Sequence, residues 1–229
     1  MADGSGFTGF EPLRRSISGE LFDDGFTRGR YATDASIYQM IPTGVVIPKN
    51  SSDIEKVINL GRKDGISLLA RGGGTSQSGQ TVNNSVVLDN SKFLNKIIEI
   101  DVKNRSCVVE PGIVLDELNR ILKPHGLWFP VDISTSSRAT IGGMAANNSC
   151  GGRSIRYGTM RDNVISIEGF MSDGSYCHFG TMENPNTSDL SKALKLIGER
   201  DALEIEHRFP KLIRRVGGYN IDALIPKGE

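Results

Sequence analysis

The chain has 229 residues, 38% of them hydrophobic, which is enough for one large domain or two small ones around a buried core. Lys plus Arg and Asp plus Glu balance at 27 each, so no whole-molecule field marks a nucleic-acid binder or a polyanion mimic, and any charge recognition has to be local. Residues 1–10 contain Gly, Ser and Asp with no apolar run, and no stretch approaches the roughly 18 apolar residues of a membrane span. The expected location is therefore cytoplasmic, or peripheral to the inner membrane through a partner.

Cys107, Cys150 and Cys177 lie far apart without a C-x-x-C pair, which argues against a disulfide framework, a zinc site or an iron-sulfur cluster. His125, His178 and His207 have no mutual ligand spacing, so no metal is expected. Glycine is the outlier at 27 residues, clustered at 72–74, 142–143, 151–152 and 217–218 rather than spread as in a linker. Such clusters point to close backbone approach.

In chain order, Val45-Val46-Ile47 reads as a short strand ended by Pro48. Ser51-Ser52-Asp53 then offers caps for a helix with Ile54, Val57, Ile58 and Gly61 on one face, closed by Asp64-Gly65. Ile66 to Ala70 and Ser85 to Leu88 are strand-like, with the glycine turn between them. Ile97 to Ile100 and Cys107 to Val109 form a predicted hairpin, and Val114, Leu115, Leu118, Ile121 and Leu122 one helix face, ended by Pro124 and Gly126. Phe129 to Gly152 is irregular and too long for a mere connector. Val164 to Met171 and Tyr176 to Phe179 make a second hairpin around Asp173-Gly174, and Asp189 to Val216 is helical in pattern with Pro210 interrupting it.

The turn Arg71-Gly72-Gly73-Gly74-Thr75-Ser76, continuing to Gly79 and Gln80, supplies backbone amides unobstructed by side chains, plus hydroxyls, the ingredients of an anion nest. G-x-G-x-x-G is not matched, and Gln80 stands where a P-loop needs Lys; both motifs also require a following helix, whereas this turn leads to a strand. Taken alone, the turn fits a tight structural bend as well as a phosphate nest. A second segment breaks the tie: from Pro130 to Gly152 small residues recur where a flat cofactor can lie against backbone. There Gly142-Gly143-Met144 would open a short helix whose amides face an anion.

The Arg-Gly-Gly-Gly-Thr-Ser turn, the Thr140-Ile-Gly-Gly-Met-Ala-Ala-Asn-Asn148 segment and Arg156-Tyr157-Gly158 together resemble the FAD-binding domain of the vanillyl-alcohol oxidase and p-cresol methylhydroxylase superfamily. The resemblance runs from about Pro42 to Gly180 and is strongest to the FAD-linked D-2-hydroxy-acid dehydrogenases and oxidases, for D-lactate, D-2-hydroxyglutarate and glycolate. Ala32-Thr33-Asp34-Ala35-Ser36-Ile37-Tyr38-Gln39 particularly resembles the large members that carry an iron-sulfur region.

The resemblance implies an α+β fold of two α/β subdomains, a small βαβ sheet first and a larger mixed or antiparallel sheet with helices second, with FAD between them. The corresponding divisions are an N-terminal extension at 1–40, the first subdomain at 41–100, the second at 101–182 and a helical segment at 183–229. By position it places the FAD diphosphate on Arg71, Gly72, Gly73, Gly74, Thr75, Ser76, Gly79 and Gln80. The isoalloxazine falls near Pro130, Asp132, Ser137, Thr140, Gly142, Gly143 and Ala146, and the adenine end near Ile167. Covalent members attach flavin through a His in or after the turn; Thr75 and Ser76 stand there, so noncovalent FAD is expected.

The implied function is that of the FAD-binding portion of an oxidoreductase acting on a D-2-hydroxy acid by hydride transfer to flavin N5. No catalytic residue is assigned, and the electron acceptor is open. Arg215 to Leu224 resembles the lead into a substrate-binding cap domain, so the substrate is expected to meet a C-terminal domain or partner subunit, the chain being a split subunit or gene fragment. Arg214-Arg215 reads as a solvated helix end or a docking point, and Tyr157 as a packing aromatic. The alternatives are a non-catalytic FAD-binding subunit of a larger complex and, further off, an NADPH-dependent cell-wall precursor reductase. A side chain at Gly73 is expected to block the diphosphate while leaving the domain folded.

Overall fold

The computed structural model describes residues 9–180, 189–212 and 218–225. Helix α1 (Glu11–Ser16) carries Pro12 in its first turn, where a missing N–H costs nothing, and buries Leu13. Strand β1 (Glu20–Phe22) and helix α2 (Gly25–Arg30) follow, and the Asp24 side chain caps α2 by accepting from the Thr27 amide at 2.9 Å.

Strand β2 (Gly44–Ile47) leads into helix α3 (Ser51–Asp64), which ends on Gly65 at φ 67°. Asn50, not the Ser51-Ser52-Asp53 run, caps α3. Asp53 is fully buried, with its two oxygens accepting from the amides of Ser18 at 2.8 Å and Lys49 at 2.9 Å. Strands β3 (Leu68–Arg71) and β4 (Val86–Asp89) complete a four-stranded sheet in the order β1-β2-β4-β3. β2 and β3 both run parallel to β4, and β1 is antiparallel to β2.

Both central strands are buried at every position, as a sheet covered on two faces requires. Val46, Val86 and Leu88 meet Phe10, Leu13 and Val57 on one side, while Val45, Ile47 and Val87 meet Phe22, Tyr31 and Phe93 on the other. Each fully buried aliphatic side chain contributes about 1.5–3 kcal/mol. Residues expected to form an N-terminal extension thus belong to the first sheet: Leu21 pairs with Val46, and Phe10 and Leu13 fill its core.

The second half opens with the predicted hairpin, β5 (Ile97–Asp101) and β6 (Ser106–Val109), and with helix α4 (Leu115–Leu122). Leu115, Leu118 and Leu122 form the buried stripe of α4, and a 3₁₀ turn, Lys123–His125, hands over to Gly126 at φ 69°. Short helices α5 (Ile141–Ala146), α6 (Ser154–Tyr157) and α7 (Met160–Asn163) precede the hairpin of β7 (Ser166–Phe170) and β8 (Tyr176–Gly180). The core here joins Ile113, Leu115 and Leu118 to Val131, Met144 and Met160. The α+β class is as expected. The larger second sheet is not what the described strands form: they make two separate two-stranded ladders, because no described strand pairs β5–β6 with β7–β8. Burial holds the Cys107 thiol above its ordinary pKa, as suits a packed, unreactive cysteine.

The helical stretch beyond residue 188 breaks earlier than Pro210 suggests. Helix α8 (Asp189–Arg200) yields to α9 (Ala202–Arg208) at Asp201, and Phe209, ahead of Pro210, is extended at φ −66° and ψ 131°. The 3₁₀ turn Ile221–Leu224 lies on α8, where a side chain at Gly198 would strike the Leu224 carbonyl. Arg161 on α7 fastens that turn, donating to both oxygens of Asp222 at 3.2 Å and to Asn220 at 2.9 Å. Arg214 and Arg215 lie outside the described residues.

Asp53→Ala removes the acceptor of two backbone amides at the junction of α1, β2 and α3. We expect a loss of about 2 kcal/mol, read from the urea midpoint with the slope unchanged.

Candidate functional site

Parallel strands are usually joined through a helix, but β3 and β4 are joined by residues 72–85 with none. The backbone groups of this loop therefore need partners elsewhere or are left to a ligand. Gly74 at φ 65° and Gly79 at φ 71° take the left-handed turns that bend it. Among the described residues the amides of Gly73, Gly74, Thr75 and Ser76 donate to no protein acceptor, which makes the turn a concave array of unspent donors.

Facing it is the irregular stretch from Ile133 to Cys150, and a cleft of about 290 Å³ lies between the two. One wall is Gly72 to Ser76 with Thr81. The other is Ile133-Ser134-Thr135, Ala139-Thr140, Gly143-Met144, Asn147 and Ser149-Cys150. No charged side chain among the described residues lines it, so an anion there would be held by backbone dipoles and hydroxyls. The volume is at the lower edge of the ~300–1,000 Å³ usual for small-molecule sites.

The glycines divide into two kinds. A Cβ on Gly72 would strike the Thr140 hydroxyl, and one on Gly73 the Arg138 carbonyl; Gly142 is packed on Pro111, with Cβ and carbonyl oxygen at 2.6 and 2.9 Å from such an atom. These three permit close packing within the chain. At Gly143, outside its own helix backbone and among the described residues, only Thr140 Oγ1 would come within 4 Å, at 3.2 Å, so its bare face is open at the cleft. The expectation that a side chain at Gly73 leaves the domain undisturbed is corrected accordingly: the obstacle is the protein's own backbone.

Helix α5 also departs from expectation. Its first amides do not face an anion: Ile141 donates to the Ile113 carbonyl at 2.9 Å, Gly142 to Pro111 at 2.8 Å and Gly143 to the Thr140 hydroxyl at 3.3 Å. The helix end is satisfied by the chain itself.

Of the residues expected at the cofactor, the fold brings Gly72, Gly73, Gly74, Thr75, Ser76, Thr140 and Gly143 to the cleft. Arg71, Gly79, Gln80, Pro130, Asp132, Ser137, Gly142, Ala146 and Ile167 do not line it. The Arg71 guanidinium lies against Gly74 but is spent on three carbonyls, those of Tyr31 at 3.3 Å, Thr81 at 3.0 Å and Thr33 at 2.8 Å. Gln80 accepts from the Ser76 hydroxyl at 2.9 Å, and Asp132 accepts from the Arg153 amide at 2.8 Å. Ala146 is exposed, and Ile167 pairs with Phe179 on the terminal hairpin. Thr81, Ile133, Ser134, Thr135, Ala139, Met144, Asn147, Ser149 and Cys150 line the cleft without having been singled out, although all but Thr81 sit within the small-residue stretch.

Arg71 stacks on Tyr31, 5.3 Å from the ring centre, and the Tyr31 hydroxyl donates to Asp89 at 2.6 Å. Burial, then the Asp89 carboxylate, raises the Tyr31 pKa above its ordinary value of 10.0. Burial lowers that of Arg71, opposed by the negative charges of Asp89 and Asp34.

A family model described as an FAD binding domain matches residues 42–180. The chain belongs to this family. Its relatives include the D-2-hydroxyglutarate dehydrogenase of Pseudomonas putida, 36% identical over 228 residues, covering 93% of this chain and 23% of that protein. The glycolate oxidase subunit GlcD of Bacillus subtilis is 35% identical over 170 residues, 72% of this chain and 36% of the other. The chain thus spans about a quarter to a third of the length of these relatives. Among solved structures, alkyldihydroxyacetonephosphate synthase superposes with a TM-score of 0.69 at 21% identity, covering 80% of this chain and 37% of that one. The 6-hydroxy-D-nicotine oxidase of Arthrobacter nicotinovorans gives 0.67 at 22%, over 76% and 38%. At these identities the likeness is one of fold.

The residues present fit FAD: unspent amides at a glycine turn suit a diphosphate, and a facing wall of small and apolar side chains suits a flat ring system. No group of His, Cys, Asp and Glu among the described residues is arranged to hold a metal.

Two glycine substitutions separate packing from binding. Gly73→Ala should lower the melting midpoint and FAD content together, by about 1–3 kcal/mol of stability. Gly143→Leu should leave the flavin-free melting midpoint within a few degrees and still reduce FAD retention, read from absorbance after gel filtration. Tyr31 adds a pH dependence of defined sign. Below about pH 10 both folded and unfolded states carry its proton and the contribution is complete. As pH rises further the unfolded state ionises first and stability falls, so unfolding curves of wild type should show a steeper alkaline decline than those of Tyr31→Phe.

Proposed function

We propose that this FAD-binding chain works as the cofactor-carrying part of an oxidoreductase acting on a D-2-hydroxy acid, with FAD held noncovalently across the cleft. The diphosphate lies on the 72–76 turn and the isoalloxazine against the Ile133–Thr140 wall. The observation that carries this reading is the set of acceptor-free amides at Gly73 to Ser76, facing a charge-free wall of small residues. The names of the relatives support the substrate class.

When bound, FAD supplies the hydride acceptor for oxidation of an alcohol carbon. The chain's own residues bind and orient it: the turn amides hold the anionic end, and Thr140 fixes the turn to α5. Ile133, Ala139 and Met144 present apolar surface that keeps water from the ring face. We assign recognition of the substrate's carboxylate, and the base that takes its hydroxyl proton, to the parts of the relatives' length that this chain does not span. Thr75 and Ser76 in the turn support noncovalent attachment. No helix among the described residues is long and apolar enough to cross a membrane. The balanced charge and a sequence with neither a C-x-x-C pair nor a disulfide-type cysteine framework support a cytoplasmic location.

The purified protein should be yellow, and acid precipitation should release the flavin into the supernatant; colour retained in the pellet would overturn noncovalent attachment. In the presence of the substrate-recognising part, the flavin should be bleached anaerobically by D-2-hydroxyglutarate, D-lactate or glycolate. A flavin that none of the three bleaches would remove the substrate assignment and leave the cofactor assignment standing.

A further inference from the structure

The Ala32–Gln39 segment lies ahead of the first parallel strand and outside the matched region, yet it packs on the glycine turn. The Ala35 amide donates to the Gly74 carbonyl at 3.1 Å. Asp34 Oδ2 accepts from the Thr81 hydroxyl at 3.0 Å and the Thr81 amide at 3.3 Å, while its Oδ1 accepts from Ser36 at 2.8 Å. From the other end of the loop, Arg71 donates to the carbonyls of Thr33 and Thr81 at 2.8 and 3.0 Å. Tyr38 lies on Gly79, its Cδ2 2.6 Å from where a Cβ would stand, and the Thr33–Gln39 bridge closes the segment into a hook.

The peptide geometry gives these contacts a consequence. In a trans peptide the carbonyl oxygen of one residue and the N–H of the next point to opposite sides. A Gly74 carbonyl drawn onto Ala35 therefore aims the Thr75 N–H away from the hook, and Thr75 lines the cleft. Thr81, also at the cleft, is held through its amide and hydroxyl by Asp34 and through its carbonyl by Arg71, so Gly74 and Thr81 are both fixed to the hook, Thr81 with the help of Arg71.

We propose that the hook Thr33–Gln39 belongs to the cofactor apparatus, with Asp34 and Arg71 as positioning residues that hold the 74–81 loop so that its amides are presented to the diphosphate of FAD. The inference rests on the FAD reading above. It assigns Arg71 a role through the turn and not a direct contact with phosphate, consistent with a guanidinium spent on three carbonyls.

The test is the FAD dissociation constant of flavin-stripped protein, from quenching of flavin fluorescence, set beside the melting midpoint of the same stripped protein. Asp34→Ala should weaken FAD about tenfold or more, and Asp34→Asn, which keeps one acceptor, should recover part of that loss. The stripped midpoints should stay within a few degrees of wild type. Thr81→Val, which deletes one hydroxyl and keeps the volume, should weaken FAD about threefold and decides the matter if Asp34→Ala fails to fold. Folded Asp34→Ala or Thr81→Val protein that binds FAD as tightly as wild type would overturn the inference alone. Wild type that takes up no FAD would overturn the cofactor reading, and this inference with it.

Discussion

The structure turns on one close approach: Gly72 and Gly73 lie so near residues 138–140 that neither has room for a Cβ, and the Thr140 hydroxyl fills the space at Gly72. That contact joins the parallel sheet to the α4–α5 half. The same hydroxyl caps α5 by accepting from Gly143, so one buried side chain sets the width of the cleft and the start of the helix at its floor. Thr140 is only 1% exposed, and its neighbours Ile113, Met144 and Ile141 tie it to the second core.

A cleft with no cation among its described lining residues can still suit an anion. A cleft faced by backbone amides is rigid and already polarised, so its donors need little reorganisation when a ligand arrives. Positive charge is present nearby, in Arg71, but stacked on Tyr31 and bonded to backbone, where it stiffens the loop. The Tyr31–Asp89 bond extends the same network to the end of β4, and Ser91 closes it by donating to Asp89 through its amide and hydroxyl. The crossover that lacks a helix is thus supported by a partly buried polar network anchored on the buried Asp89, and such a network is most stable when its members are satisfied together.

The order of strands and longer helices was legible because it rests on local signals: β-branched runs at β2 and β4, the Leu115-Leu118-Leu122 stripe, and Gly65 and Gly126 at helix ends. The first forty residues were read as an extension because α1, β1 and α2 are too short for a periodicity to emerge. Their place follows from Leu13 and Leu21 entering a core made mostly by later residues. About half the expected cofactor residues reach the cleft, and those that do sit at the turn and at the Thr140–Gly143 step, the two motifs that carried the resemblance.

From the sequence alone, the Arg71–Ser76 turn and the Thr140–Asn148 segment carried a resemblance to an FAD-binding domain, which the family match over residues 42–180 bears out; motifs in short stretches are legible without a fold. Only the tertiary structure decided what each glycine is for. Gly72, Gly73 and Gly142 are bare because the protein's own atoms occupy the space, whereas Gly143 is bare toward the cleft. It also decided that the first amides of α5 bond to residues 111, 113 and 140 and that Arg71 serves the loop's backbone. Sequence spacing records that a backbone can come close to something; what it approaches is fixed only when distant segments meet.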